Sequence, residues 1–203
     1  MRIITYQRKC VIDKLLKDGE YKITDNSQMG TFNHITSLVY NERWKLAYDH
    51  MFDRMKKKIK NKRDFDEDII APIWGWYKME DPRRMAYDNR GLYRITLEIK
   101  DSKVLLSDFG FYECFAISSI GCLYYKGKGE KIAEELYRQA ELEGPECLFR
   151  VYDKIFNKNH LRYVEDIQAT FFKIRMKDVV SIKKVKKEDY KGYKSPFKVR
   201  RRK

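Results

Sequence analysis

Two of the three tryptophans fall in one hexapeptide, Pro72-Ile73-Trp74-Gly75-Trp76-Tyr77, and an arginine pair, Arg83 and Arg84, follows closely. In an extended segment side chains alternate between faces, so Trp74 and Trp76 point the same way. A large flat apolar surface bordered by cations suits a nucleotide, a nucleic-acid base or a partner protein, and it also suits an ordinary core. Arginine meets phosphates well through its planar fork. The other residues with chemical capacity are polar positions on predicted strands: Thr5 and Gln7, Glu98, Ser107 and Asp108, and Gln168. Such side chains usually face water. Gln168 stands apart because its strand face also carries Thr170, Phe172 and Ile174, which places it at the edge of an apolar cleft. A buried amide left unpaired costs about 1–3 kcal/mol, and a pocket that turns the amide toward a ligand is one way to satisfy it.

Several chemistries are excluded by pattern. No G-x-x-x-x-G-K-[ST] phosphate loop, G-x-G-x-x-G turn, G-x-S-x-G elbow or H-E-x-x-H helix occurs. The four cysteines (Cys10, Cys114, Cys122, Cys147) and three histidines (His34, His50, His160) lack metal-ligand spacing, so no metal is expected and the thiols read as reduced and mostly buried. Gly127-Lys128-Gly129 reads as a flexible turn. No apolar run approaches the ~20 residues of a membrane span, and the first residues lack a signal-peptide core. A cytoplasmic protein with no membrane contact is expected. Oligomeric state is not legible.

Across 203 residues the net charge is +14, and it is uneven. From Lys183 to Lys203 there are eleven Lys/Arg against two acids, Glu188 and Asp189. That segment carries +9 of the total, leaving +5 for residues 1–182. The segment 186–203 therefore reads as a basic, flexible tail, with Lys186, Lys187, Arg200, Arg201 and Arg202 as contacts for a nucleic-acid backbone. A solvated, solubility-giving terminus is the alternative. Tyr190, Tyr193 and Phe197, interleaved with the charges, favour binding because aromatic rings stack on bases.

The elements that must position these residues are read from periodicity. Residues 1–7 form a first strand. Gln7 to Lys17 is helical, with Ile12, Leu15 and Leu16 on one face and Gly19 ending it. Residues 22–36 are a loop. Trp44, Tyr48, Met51, Phe52, Met55 and Ile59 make the apolar stripe of a second helix, whose end is basic from Lys56 to Arg63. Ile69 to Tyr77 is a strand, and 79–91, with Pro82 and Gly91, is a charged loop. Tyr93 to Ile99 alternates as a half-buried strand and pairs as a hairpin with Val104 to Phe109. Helices follow over 132–140 and from Leu148 to about Asn157, then strands over 167–176 and 179–185. The order predicts one α+β domain over 1–185, a mostly antiparallel sheet flanked by helices.

Together Thr5-Tyr6-Gln7, Tyr48-x-x-Met51, Pro72-Ile73-Trp74-Gly75-Trp76, Leu97-Glu98-Ile99 with Leu105-Leu106-Ser107-Asp108-Phe109, and Ile167-Gln168-Ala169-Thr170 resemble an uncharacterised family of bacterial and phage proteins known as a domain of unknown function. The resemblance covers about residues 1–185 and implies no activity. The chain also resembles, more weakly, the ADP-ribosyltransferase fold, whose motif residues sit on three separated strands around a nicotinamide pocket. The matching places are Thr5/Gln7, the Trp74–Tyr77 strand and Gln168, with Thr or Gln where His or Arg is usual and Gln168 where a glutamate is common. That resemblance implies NAD as substrate, Trp74 or Trp76 stacking its rings, Arg83 and Arg84 on its phosphates, and Gln168 with Thr5 and Gln7 at the ribose. An amide lacks the full charge that steadies an oxocarbenium ion. The competing reading is a non-catalytic phage or mobile-element protein that docks on nucleic acid or a nucleoprotein complex.

Overall fold

The computed structural model describes residues 1–25, 38–59, 65–109, 138 and 166–194. The chain opens with β1 (Arg2–Gln7) and α1 (Lys9–Asp18). α1 buries Val11, Ile12 and Leu15. Leu16, expected on that face, is turned outward and 60% exposed. Gly19 ends the helix in the left-handed region at φ 77°, its N–H donating to the Leu15 carbonyl at 3.0 Å, a conformation open to glycine without steric cost. β2 (Glu20–Tyr21) pairs with β7 (Ile174–Arg175) as a separate two-stranded ladder. α2 runs from Leu38 to Lys58 and buries Met51 and Met55.

β3 (Ile73–Lys78), β4 (Tyr93–Glu98), β5 (Leu105–Asp108), β6 (Ile167–Phe171) and β8 (Val179–Lys184) join β1 in one sheet of order β5-β6-β3-β1-β4-β8. Every ladder in it is antiparallel. One face holds the main core, where Ile3, Ile73, Ile95, Leu97, Ala169 and Phe171 meet Val11, Ile12 and Leu15 of α1. On the other face α2 closes a smaller cluster of Met55, Ile69 and Phe172, bordered by Phe52, Phe65 and Leu105. The three phenylalanines pack at ring separations of 5.1–5.9 Å. The α+β class and the antiparallel sheet with flanking helices are therefore as expected.

Two expectations change. Residues 79–91 contain a helix, α3 (Pro82–Asp88), because Asp81 caps it by accepting the Arg83 backbone N–H at 2.9 Å. Pro82 sits at its first position, where a missing N–H breaks no helical bond, and Met85 and Ala86 bury its inner side. The expected hairpin between residues 93–99 and 104–109 does not form. β4 pairs with β1 and β8, while β5 lies at the far edge on β6. The intervening Asp101–Lys103 makes a 3-10 turn without the glycine or asparagine pair that tight hairpin turns require. β1 instead matches all six residues of β4, from Arg2 opposite Glu98 to Gln7 opposite Tyr93. The helices expected over 132–140 and 148–157 lie outside the described residues, Arg138 excepted. No helix among the described residues is long and apolar enough to cross a membrane.

Candidate functional site

Antiparallel register places residues of six strands in a single row. Ser107 stands opposite Gln168, Gln168 opposite Trp76, Trp76 opposite Ile4, Ile4 opposite Thr96, and Thr96 opposite Ser181. Directly opposed residues share a sheet face, so these six project together, away from the aliphatic core. A second row on the same face holds Leu105, Thr170 and Trp74 at one end, and Tyr6, Arg94 and Lys183 at the other. The sheet is thus aliphatic on the α1 side and polar-aromatic on the tryptophan side.

Burial makes this second face unusual. Ser107, Thr170, Gln168 and Thr96 are all buried, and Trp74 and Trp76 are half-buried. A half-solvated antiparallel sheet normally exposes its polar face, whereas here α2 packs at the β5–β6 end, with Leu105 of this face bordering its cluster. Thr170 meets its need by donating to the Leu105 carbonyl at 3.2 Å. Ser107 Oγ and Gln168 Oε1 find no hydrogen-bond partner among the described residues. They belong to register neighbours on adjacent strands; Trp76 stands opposite Gln168, its ring packed edge-on against Phe109 at 4.9 Å. Unpaired buried polar atoms are rare in native proteins, and functional sites are one place they occur. A group that supplies hydrogen bonds to Gln168 Oε1 and Ser107 Oγ while stacking on an indole fits this corner.

Gly75 fixes how closely the tryptophan strand can lie on β1. A Cβ there would sit 2.8 Å from Ile3 Cγ2, 2.9 Å from the Ile4 carbonyl oxygen and 3.3 Å from Phe171 Cε1. The residue between the tryptophans is therefore glycine for packing on the core side.

The remaining candidate residues separate. Thr5 and Gln7 lie one residue out of step with Ile4 and so on the opposite face. The Thr5 hydroxyl donates to the Trp74 carbonyl at 2.7 Å and accepts from Gln7 Nε2 at 2.8 Å. Trp74, Trp76 and Gln168 are brought together; Thr5 and Gln7 are not among them. Arg83 pairs with its helix cap Asp81 at 3.1 Å, which holds the Asp81 carboxyl below its usual range. Arg84 pairs with Asp166, whose other oxygen accepts the Glu80 N–H at 2.9 Å. Both arginines thus have carboxylate partners, and Arg84 ties α3 to the start of β6. Lys186 and Lys187 are exposed at a 3-10 turn, Lys187–Tyr190. Tyr190 and Tyr193 pack on Tyr87 of α3 at 5.6 and 5.4 Å, and Arg90 covers the Tyr87 ring at 3.7 Å. Arg200, Arg201 and Arg202 lie outside the described residues. Among those described, no cluster of His, Cys, Asp or Glu has the makings of a metal site. Cys10 is a free thiol, exposed rather than buried.

Sequence reasoning missed the pairing of Ser107 with Gln168. It placed β5 against β4, three strands from its true neighbour, so the two side chains had no reason to be considered together. Arg94 was likewise passed over as one polar position in an alternating strand.

The comparisons with known proteins give one result. No curated protein and no solved structure matches the chain, so the resemblance to the ADP-ribosyltransferase fold gains no support, and among the described residues the six-stranded sheet is open, ending at β5 and β8. A family model matches residues 2–121, more than half of the chain and narrower than the 1–185 expected. It takes in β1 to β5 and leaves Gln168 outside. The chain belongs to the family described as Domain of unknown function (DUF3841).

Proposed function

We propose that the tryptophan-bearing face of the sheet binds a ligand with a flat heteroaromatic ring and a hydrogen-bonding edge, of the nucleotide class that includes NAD. The observation that carries this is the pair of buried oxygens without a partner among the described residues, Ser107 Oγ and Gln168 Oε1, on register neighbours with Trp76 opposite Gln168. Gln168 Oε1 is an acceptor and calls for a ring N–H or exocyclic amine; the serine hydroxyl both donates and accepts. Indole supplies the stacking surface. Transfer of ADP-ribose is not part of this reading, because Thr5 and Gln7 are on the other face and bonded to each other. The role is binding, with Gln168, Ser107 and Trp76 as its residues.

Titration of the full chain with adenosine, nicotinamide and NAD, read by tryptophan fluorescence and calorimetry, tests it. Binding by at least one of them, lost in Gln168→Met, is the expected result. No heat and no quenching at millimolar concentrations of all three would overturn it.

A second reading concerns the basic end of the chain. The tyrosine contacts to α3 hold the exposed Lys186 and Lys187 at a fixed place on the surface, and fixed lysines beside aromatic rings suit single-stranded nucleic acid. Salt-dependent binding of an oligonucleotide by the full chain, weakened in Lys186→Gln/Lys187→Gln, is its test.

A further inference from the structure

Arg94 is half-buried on β4, with Tyr6 opposite it on β1 and Lys183 opposite it on β8. All three project from the tryptophan-bearing face. Among the described residues the buried Arg94 Nε has no hydrogen-bond partner and Arg94 forms no ion pair. This contrasts with Arg83, Arg84 and Lys22, each of which meets a carboxylate. The charge of Asp189 is felt at Tyr6. The Asp189 Oδ2 is occupied by the Lys186 backbone N–H at 2.7 Å. A buried guanidinium nitrogen left without a hydrogen-bond acceptor is costly. Adjacent to it, Lys183 adds an exposed second cation. Burial raises the Tyr6 phenol above its usual range, so it remains an O–H donor at neutral pH.

We propose that Arg94, Lys183 and Tyr6 form a subsite for a phosphoryl group, so that the ligand of the tryptophan face is phosphorylated. This rests on the ring-binding reading above and adds to it the class of the ligand. The register supplies the layout. From Trp76 on β3 to Arg94 on β4 there are two inter-strand steps, about 10 Å in all, and Ile4 and Tyr6 of β1 lie between as a floor. A ring on Trp76 thus directs its phosphate arm across β1 to Arg94. Guanidinium binds phosphate in a two-point fork, which a lone lysine cannot match.

Calorimetry of the full chain with adenosine, AMP and pyrophosphate separates the two readings. AMP is expected to bind about tenfold more tightly than adenosine, the effect of one charge-assisted contact. In Arg94→Gln that advantage disappears while adenosine binding is retained, and Lys183→Gln, altered at an exposed position, reduces it in part. Equal affinity for adenosine and AMP overturns the phosphoryl subsite and leaves the ring site standing. Pyrophosphate binding that depends on Arg94, with no binding of adenosine, supports the subsite for a free phosphate and overturns the ring site. If neither AMP nor pyrophosphate binds, or if Arg94→Gln binds both as before, the proposal fails. The comparison of ligands on the unaltered chain needs no variant to fold.

Discussion

Replacing Gln168 with methionine separates a binding glutamine from a structural one, because the two roles give stability changes of opposite sign. Gln168 is 5% exposed, and its Oε1 has no partner among the described residues. The desolvation of such an oxygen costs the folded state about 1–3 kcal/mol. Methionine keeps the unbranched length of the side chain and removes the polar atoms, and its flexibility absorbs small misfits. Allowing roughly 1 kcal/mol for imperfect packing, the free protein is expected to be unchanged or up to about 2 kcal/mol more stable. Ser107→Ala acts in the same direction, since a hydroxyl at 0% exposure is lost, with a gain of about 1 kcal/mol. The two positions are register neighbours, so the double variant need not give the sum. Urea unfolding followed by tryptophan emission measures the midpoint, and an unchanged slope confirms that the folded state is comparable. Nucleotide binding measured on the same samples is expected to be lost. Destabilisation of either single variant by more than about 1 kcal/mol means that the oxygen is satisfied in the native state, and the argument for a ligand at this corner then collapses.

Gly75→Ala should cost about 2–3 kcal/mol by overpacking, because its Cβ would fall 2.9 Å from backbone oxygen and 2.8 Å from the buried Ile3; a melting temperature within two degrees of the parent, about the resolution of the expected shift, refutes the close approach. The acid limb of stability should depend on Asp66. Lys173 and then Lys22 hold its carboxyl below the ordinary value, with Lys173 at 2.5 Å and only 9% exposed. A depressed folded value means that its contribution is complete above the unfolded pKa of about 3.9 and is lost as pH falls through the lower folded one. Asp66→Asn is therefore expected to be less stable than the parent at pH 7, by about 2 kcal/mol given partial solvent access, and the gap between their urea midpoints should narrow toward pH 2; a gap independent of pH contradicts the pairing. For the basic end, Lys186→Gln/Lys187→Gln should lower the salt slope of binding to a labelled single strand by about 1.4, read by fluorescence anisotropy. An unchanged slope removes those lysines from the interface.

Much of the architecture was already legible in local pattern. The alternation of Tyr93, Ile95 and Leu97, the 3–4 spacing through Met51, Phe52 and Met55, and Gly19 after a helical run each reflect forces within a few residues of one another, and each element is found where they place it. The Trp74/Trp76 pair also points to one side of a strand, as alternation requires. The helix at Pro82–Asp88 was hidden because proline is read as a breaker, although at a first helical position its missing N–H costs nothing.

Strand order was not legible, and the site depends on it. Ser107 and Gln168 are far apart in sequence and become neighbours because β5 crosses to β6. Likewise Thr5 and Gln168, each a polar residue on a strand, are sent to opposite faces by a one-residue difference in register. Local pattern fixes the period of an element, whereas pairing is decided by which aliphatic faces can be buried together over long separations. Local pattern therefore suffices to make this DUF3841 chain an α+β protein with two tryptophans on one strand face and a basic C-terminal segment. That those tryptophans share their face with a glutamine, a serine and an arginine, each with a buried atom unpaired among the described residues, follows from long-range pairing, since it depends on the register of six strands at once.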